Sequence, residues 1–196
     1  RFETSATTMT YALLELAQNE DIQEKVRQEV NEVLAKYDGV MTYEAMLDLK
    51  YTESVIMETM RKYPPVALLP RVCTKDYTIP DTKVTIKKGT AVLISTWGLH
   101  KDPEYFPNPE KFDPTRFSQE NKKNIRDYTY MPFGEGPRMC LGLRFGMMQS
   151  KVGLATMIRT FKVTLNKNTY FPLRMKKPSF ITTVEGDVWL NVEKCS

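Results

Sequence analysis

Hydrophobic residues recur at intervals of three and four in four stretches of the chain, and this spacing predicts four helices. The predicted helices span residues 2–19, about 21–37, 42–63 and about 141–160. Thr42 suits the start of the third helix, because its hydroxyl can cap free backbone N–H groups. That helix has to stop at Pro64 and Pro65, since proline lacks the N–H that a helix interior needs.

Alternating and β-branched positions replace the helical pattern in the middle and at the end of the chain. Residues 77–95 predict short strands and a hairpin, because the alternation is interrupted by typical turn residues. Two more strand candidates, residues 161–165 and 188–193, lie in the tail. Residues 101–131 have no clear period, and such long irregular segments are typically functional or packed against something large. The patterns together predict a mainly α fold with small β-sheets.

Composition and charge limit the class of protein. The chain has 196 residues, 41% hydrophobic and 27% charged, which is typical of a soluble globular protein with one core. A net charge of +4 is too small to indicate nucleic-acid binding. No apolar run approaches the roughly 20 residues that span a bilayer. Because the first helix opens without a Met or a capping sequence, we expect a fragment of a longer protein.

Cys140 is the residue whose chemistry matters most. The three cysteines lie far apart and there is one histidine, which argues against a zinc site or a disulfide scaffold. Cys140 comes just before a predicted helix, where the helix dipole favours a thiolate, and Arg138 adds positive charge. Gly134 and Gly136 allow close approach of a flat group. These residues leave three interpretations open: an inert buried cysteine, a metal-bound thiolate and a nucleophile.

The stretch "PFGEGPRMCLG" resembles the haem-binding loop of the cytochrome P450 family. The match covers all fixed positions of that loop, which here are Phe133, Gly134, Gly136, Arg138, Cys140 and Gly142. The resemblance implies that Cys140 is the axial thiolate ligand of the iron in haem b. It also implies that Phe133, Gly134 and Gly142 surround the haem and that Arg138 binds a propionate.

A second motif, "ETMR", places Glu58 and Arg61 on one face of the third predicted helix. Taken alone, it is an ordinary surface ion pair. It resembles the ExxR motif of the same family, whose two charges bond with an arginine from a later Pro-x-Arg-Phe segment. Arg116 in "PTRF" supplies that arginine, so the resemblance implies a structural network of three charges behind the haem loop.

"FETSATT" resembles the oxygen-binding stretch of the family's long central helix, with Glu3 and Thr4 at the acid and threonine positions. The resemblance implies that both residues help deliver protons to bound O2. A threonine in a helix more commonly bonds to its own helix carbonyls, which is the alternative interpretation. Arg1 stands where the family usually has glycine, and this departure brings the local oxygen groove into question.

"PPVALLPRVC" resembles the family segment that crosses the haem pocket after the ExxR helix. The resemblance implies that Val66, Ala67 and Leu68 face substrate and that Arg71 binds a haem propionate. It also implies that Ile181, in "PSFITT", reaches the pocket from the C-terminal strands. Plain core packing is the alternative for these apolar residues.

The resemblance extends over essentially the whole chain and is closest to insect microsomal members. It implies one C-terminal fragment, residues 1–196, of a single P450 domain without its N-terminal half and membrane anchor. The implied activity is insertion of one oxygen atom of O2 into apolar small molecules, either xenobiotics or endogenous lipids. A peroxide-rearranging haem-thiolate enzyme and a non-catalytic fragment are the alternatives.

The resemblance also implies partners and a location. Electrons come from NADPH through NADPH-cytochrome P450 reductase, with cytochrome b5 as a second electron donor, on the cytoplasmic face of the endoplasmic reticulum membrane. Basic residues near the cysteine form a plausible docking face for an acidic reductase, with a merely solvated surface as the alternative. These residues are Lys122, Lys123, Arg126, Arg138, Arg144 and Lys151.

Overall fold

The computed structural model of the chain describes residues 2–177 and 179–195. Arg1, and with it the question raised by its family position, lies outside the described residues. The described part contains six α-helices: α1 (Glu3–Gln18), α2 (Glu20–Ala35), α3 (Tyr43–Asp48), α4 (Lys50–Lys62), α5 (Thr96–Lys101) and α6 (Leu143–Thr160). Three short 3-10 helices cover Pro114–Phe117, Asn121–Asn124 and Gly136–Arg138. None of the helices within these residues is long and apolar enough to cross a membrane.

The strands form three separate two-stranded antiparallel sheets. Their bounds are β1 (Leu68–Val72), β2 (Tyr77–Thr78), β3 (Thr85–Ile86), β4 (Ala91–Ser95), β5 (Phe161–Leu165) and β6 (Leu190–Lys194). The pairs are β1 with β4, β2 with β3 and β5 with β6. The β2–β3 pair is the predicted hairpin, whereas β4 leaves that hairpin and pairs with β1, which the alternation did not predict. The mainly α fold with small β-sheets is as predicted.

The predicted third helix is two helices, α3 and α4, and Leu49 separates them. Leu49 is fully buried and has ψ of 72°, outside the helical range, so the chain turns there. Thr42 caps α3 as expected, because its hydroxyl accepts from the Ala45 N–H at 3.1 Å. The start of α4 is capped from α2 instead. The Glu29 carboxylate accepts from the backbone N–H groups of Tyr51 and Thr52 at 2.6 and 2.8 Å.

Replacing Glu29 with alanine should lower the free energy of unfolding by about 2 kcal/mol, because the first turn of α4 loses its cap and a favourable negative charge. The measurement is denaturant unfolding at neutral pH. Glu32 is an exposed acid on the same helix, so Glu32→Ala is the matched control and should stay close to wild type. Equal effects of the two substitutions would contradict the capping role.

The core lies where α1, α2, α4 and α6 pack together. It is built from buried aliphatic side chains that include Leu16, Val26, Ile56, Leu154 and Ile158. α1 and α6 approach closely because α6 has a glycine at their crossing: a Cβ on Gly153 would stand 2.5 Å from the Met9 sulfur. The Cys140 loop precedes α6 directly, so this core fixes the helix that follows the cysteine.

Candidate cofactor site around Cys140

The loop that carries Cys140 is a tight turn held by its own backbone. Gly134 and Gly136 have φ of 71° and 78°, in the left-handed region that favours glycine. The Cys140 N–H donates to the Phe133 carbonyl at 2.8 Å, which closes the loop on itself. Gly142 follows as the residue before α6, and a Cβ there would stand 3.9 Å from the Cys140 sulfur. The glycines therefore keep side chains away from the space around the sulfur.

The sulfur of Cys140 is free and exposed, so the buried-cysteine interpretation is wrong. The nucleophile interpretation lacks a base, because His100 is the only histidine in the sequence and is fully buried in a structural role. Next to the sulfur, the Leu141 side chain is fully exposed. An apolar side chain beside a free thiol at the surface of a cavity is an arrangement suited to an apolar, sulfur-bound partner.

Two cavities meet at Leu141, which lines both of them. The first is about 600 Å³ and contains the Cys140 sulfur. Its other lining residues are Thr4, Ser5, Thr8, Met60, Pro65, Phe133, Gly142, Phe145, Gly146, Met147 and Ser150. The second is about 980 Å³ and is lined by both Arg71 and Arg138. An apolar cavity joined to a cationic one fits a flat apolar cofactor with carboxylates at one edge, so the residues present fit haem.

Strand β1 places Arg71 over the cysteine loop. A Cβ on Gly134 would stand 3.8 Å from Nη2 of Arg71 and 3.9 Å from Cδ1 of Leu69, so β1 and the loop are in near contact. The Arg71 guanidinium donates to the Pro70 carbonyl at 2.9 Å and is otherwise available to the cavity. Arg138 is exposed at the other side of the same cavity. The structure thus brings the two predicted propionate-binding arginines together.

Glu58, Arg61 and Arg116 also come together, behind the cysteine loop. Glu58 and Arg61 are both fully buried, and Arg61 donates to the two carboxylate oxygens at 2.7 and 2.9 Å. Arg116 Nε lies 3.5 Å from the Glu58 carboxylate, an ion-pair distance that is too long for a good hydrogen bond. Burial raises the pKa of Glu58, and the hydrogen bonds from Arg61 oppose that shift.

Arg61 also binds α5 and the segment that follows it, for which the sequence pattern predicted neither helix nor strand. Its guanidinium donates to the carbonyls of His100 and Pro109 at 2.9 and 2.7 Å. His100 lies in the last turn of α5, and its Nε2 accepts from the Met131 N–H at 2.9 Å. Met131 immediately precedes the cysteine loop, so the network reaches that loop through His100. The sequence could not show these contacts of His100, because they involve backbone atoms that no motif marks.

His100 makes stability depend on pH. Burial lowers its pKa from 6.5 to about 4, and the nearby Arg61 charge acts in the same direction. Between these values the unfolded state binds a proton that the folded state does not, so stability falls as pH falls. His100→Gln keeps an acceptor for Met131 but does not titrate. The loss between pH 7 and 4, measured by denaturant unfolding, should be smaller in this variant by about 3 kcal/mol. If the free energy of unfolding fell equally with pH in the wild type and the variant, the role of His100 would be contradicted.

Glu3 and Thr4 lie on different sides of α1. Thr4 lines the cavity that contains Cys140, and its carbonyl accepts from the Thr8 hydroxyl at 2.9 Å. Glu3 instead lines a third cavity, of about 650 Å³, together with Ile181. Successive helix residues differ by about 100° in direction, which explains the separation. Among the described residues, Ile181 and Glu3 therefore do not reach the Cys140 cavity.

The segment after α4 does not bring its three apolar residues to Cys140 either. Of the described residues that line the cavity, this segment contributes Pro65. The Val66 and Ala67 carbonyls accept from the Thr96 hydroxyl at 2.6 and 2.8 Å, which ties them to the start of α5. Leu68 is half exposed at the start of β1. These positions were predicted as a pocket wall, and here they form the junction between α4, α5 and β1.

The predicted basic docking face needs one correction. Lys151 is 4% exposed and pairs with Glu53 of α4 at 2.9 Å, so it braces two helices rather than facing a partner. Lys122, Lys123, Arg138 and Arg144 are exposed, and Arg126 lies 3.6 Å from Glu104. Sequence reasoning missed Ser5, Thr8 and Ser150 as cavity residues. In the sequence, Ser5 directly follows Thr4 and Thr8 lies one helical turn after it, whereas no motif marks Ser150.

Comparisons with known proteins identify the family. A family model described as Cytochrome P450 matches residues 2–190. Probable cytochrome P450 6a23 of Drosophila melanogaster is 48% identical over 195 residues, which cover 100% of this chain and 39% of that protein. Cytochrome P450 6k1 of Blattella germanica is 46% identical over 186 residues, covering 94% and 36%. Cytochrome P450 9e2 of Blattella germanica is 42% identical over 194 residues, covering 98% and 36%.

The chain spans less than two-fifths of the length of these curated relatives. The match nevertheless runs through almost all of its 196 residues, including the cysteine loop, the Glu58–Arg61 pair and the start of α1. The family resemblance predicted from those motifs is therefore confirmed, and so is its insect character. The chain belongs to the cytochrome P450 family.

Proposed function

We propose that the protein containing this chain is a haem-dependent monooxygenase that inserts one oxygen atom of O2 into apolar small molecules. The observation that carries the proposal is the free, exposed Cys140 in the lining of an apolar cavity that shares Leu141 with a cationic cavity. When bound there, haem supplies the O2 chemistry, and a thiolate ligand favours O–O cleavage. The second oxygen atom leaves as water.

In this proposal, residues of this chain bind the cofactor and orient it. The Cys140 thiolate binds the iron, and Arg71 and Arg138 pair with the two carboxylates of haem b. Phe133 lines the cavity beside Cys140. Gly134 and Gly142 leave room for close approach, because a Cβ on either glycine would have no neighbouring atom nearer than 3.8 Å. The closed turn between Phe133 and Cys140 fixes the sulfur before the cofactor binds, which reduces the cost of ordering it.

Thr4 is the proposed proton-handling group within the cavity. The Thr8 hydroxyl donates to the Thr4 carbonyl, and this bond holds the backbone of the first turn of α1, from which the Thr4 hydroxyl extends. Glu3 is the proposed acid that supplies protons from the solvent-facing side of the same turn, since it is exposed and lines the third cavity. In the whole protein, the substrate contacts Val66, Ala67, Leu68 and Ile181. The other walls of that substrate pocket lie outside this chain.

The remaining parts of the proposal concern partners and location. Electrons come from NADPH through NADPH-cytochrome P450 reductase, with cytochrome b5 as a second donor, at the exposed basic residues around the loop. Electrostatic attraction between such a surface and an acidic partner speeds association and weakens with salt. The whole protein acts at the cytoplasmic face of the endoplasmic reticulum membrane, on xenobiotics or endogenous lipids.

The test uses the longer protein in membranes with reductase, NADPH, a hydrocarbon probe whose alcohol product keeps the inserted oxygen atom, and isotopically labelled O2. We expect one labelled oxygen atom in the alcohol and no alcohol without NADPH or reductase. Isomerisation of an added organic peroxide without NADPH and without oxidation of the probe would support the peroxide-rearranging alternative. A protein that binds no haem at all would overturn both.

The isolated 196-residue chain should show no turnover of the same probe. It contains less than two-fifths of the length of its relatives, so we propose that it is the C-terminal part of one P450 domain. The measurement compares NADPH-dependent product formation by the chain and by the longer protein at equal haem content. Turnover by the chain alone at a rate within tenfold of the longer protein would contradict this prediction.

A further inference from the structure

Three hydroxyl groups lie at the buried end of the cavity beside Cys140. Ser5, Thr8 and Ser150 line this cavity and are 5%, 3% and 3% exposed. The Thr8 hydroxyl donates to the Thr4 carbonyl and keeps its lone pairs free. Ser150 is almost fully buried and lines the cavity, and its hydroxyl makes no hydrogen bond among residues 2–177 and 179–195.

The crossing of α1 and α6 brings these hydroxyls to one place. A Cβ on Gly146 would stand 4.0 Å from the Ser5 hydroxyl oxygen, and Gly153 faces Met9. Ser150 lies four residues after Gly146 and three before Gly153, so it shares their face of α6 and lies between the two contacts. Ser150 consequently faces the turn of α1 between Ser5 and Met9, on which Thr8 also lies.

The rest of this cavity wall offers little to a hydroxyl. The nearby lining residues are apolar: Met60, Pro65, Phe133, Phe145 and Met147. A buried hydroxyl without a partner destabilises the fold, and buried water commonly satisfies such groups where two to four polar partners converge. We propose that Ser150, Ser5 and Thr8 bind one ordered water molecule at this end of the cavity.

The water site is compatible with a bound cofactor and does not depend on the proposed reaction. If Arg71 and Arg138 held the carboxylates of a porphyrin, those carboxylates would lie in the other cavity, which these three hydroxyls do not line. The hydrocarbon part of such a cofactor offers no hydrogen bond, so the hydroxyls would still need a polar partner. The proposed water site is therefore the polar part of an otherwise apolar cavity wall.

The direct test is a structure of the haem-loaded longer protein at a resolution that shows ordered water. We expect a water within hydrogen-bond distance of Ser150 Oγ and of at least one of the Ser5 and Thr8 hydroxyls. The water should be absent from the Ser5→Ala/Ser150→Ala double variant. A dry site in the wild type, or a Ser150 hydroxyl bonded to its own helix carbonyl, overturns the proposal whether or not the variants fold.

A double-mutant cycle on Tm gives a second readout. Each of Ser5→Ala and Ser150→Ala should lower the Tm, because each leaves the other hydroxyl short of a partner. The double variant should lose less than the sum of the two, since no hydroxyl is left unpaired. Ser95 caps Gly98 at 3.0 Å in α5, so Ser95→Ala combined with Ser150→Ala is the additive control. A rise in Tm for Ser150→Ala, or additivity with Ser5→Ala, contradicts a shared water.

Discussion

Replacing Cys140 with serine is expected to abolish the red-shifted Soret band that thiolate ligation should give the reduced, CO-bound longer protein. Serine occupies the same space but does not supply a thiolate at neutral pH. Loss of an outer-shell partner at a metal site typically costs about 10–100-fold in affinity, so loss of the ligand should cost at least that much. The measurements are a reduced-plus-CO difference spectrum and a haem-binding titration.

The control for this prediction is Cys73→Ser. Cys73 is also a free cysteine, but its thiol lies in the β1–β2 region and bonds to the Lys75 carbonyl at 2.9 Å. Its removal should leave the Soret band unchanged. Persistence of the band in the Cys140 variant would mean that the thiolate ligand is a different cysteine. Because the Cys140 side chain is exposed and supports no core contact, the variant should remain folded.

Replacing Arg61 with leucine should lower the free energy of unfolding by about 3–5 kcal/mol. The change removes the two hydrogen bonds from Arg61 to the buried Glu58, to which the Asp113 N–H still donates at 2.9 Å. It also removes the donor to the His100 and Pro109 carbonyls. A buried carboxylate that loses its partner keeps its desolvation cost, which explains the size of the effect. Denaturant unfolding of the haem-loaded longer protein measures it.

An exposed ion pair with a similar N–O distance provides the comparison. Lys87 lies 2.8 Å from Asp76 in the β2–β3 hairpin, and both side chains are more than half exposed. Lys87→Leu should therefore change the free energy of unfolding by no more than about 1 kcal/mol. If Arg61→Leu and Lys87→Leu cost the same, burial has no part in the Glu58–Arg61 interaction and the network interpretation is wrong.

The amphipathic helices were predictable from sequence, and the exceptions have non-local causes. The hydrophobic periodicity that predicted α1, α2 and α6 lies within the residues of each helix. The break at Leu49 depends on Glu29, a residue of α2 that caps the new helix from outside. β1 was missed because its partner, β4, is separated from it by a complete hairpin. α5 was missed because six residues held by the Ser95 cap are too short to show a period.

The site shows the same division between local motif and spatial arrangement. Cys140 and the Glu58–Arg61 pair stand in motifs that specify residue type and spacing, so the sequence identified them. Lys151 was misinterpreted, because a basic residue in sequence near the cysteine gives no information about burial. Ser150 gave no signal, since a serine on a helix face becomes a cavity residue only when the opposite helix is in place.

The contacts of Arg61 and His100 also have a kinetic consequence. The Arg61–His100 bond joins residues 39 apart in sequence, and the His100–Met131 bond joins residues 31 apart. Contacts of such separation form late in folding, after the loop-closure entropy has been overcome. During synthesis or refolding, the loop that carries Cys140 therefore stays unordered until the segment between α5 and this loop has packed. Stable binding of the cofactor should therefore follow this packing step.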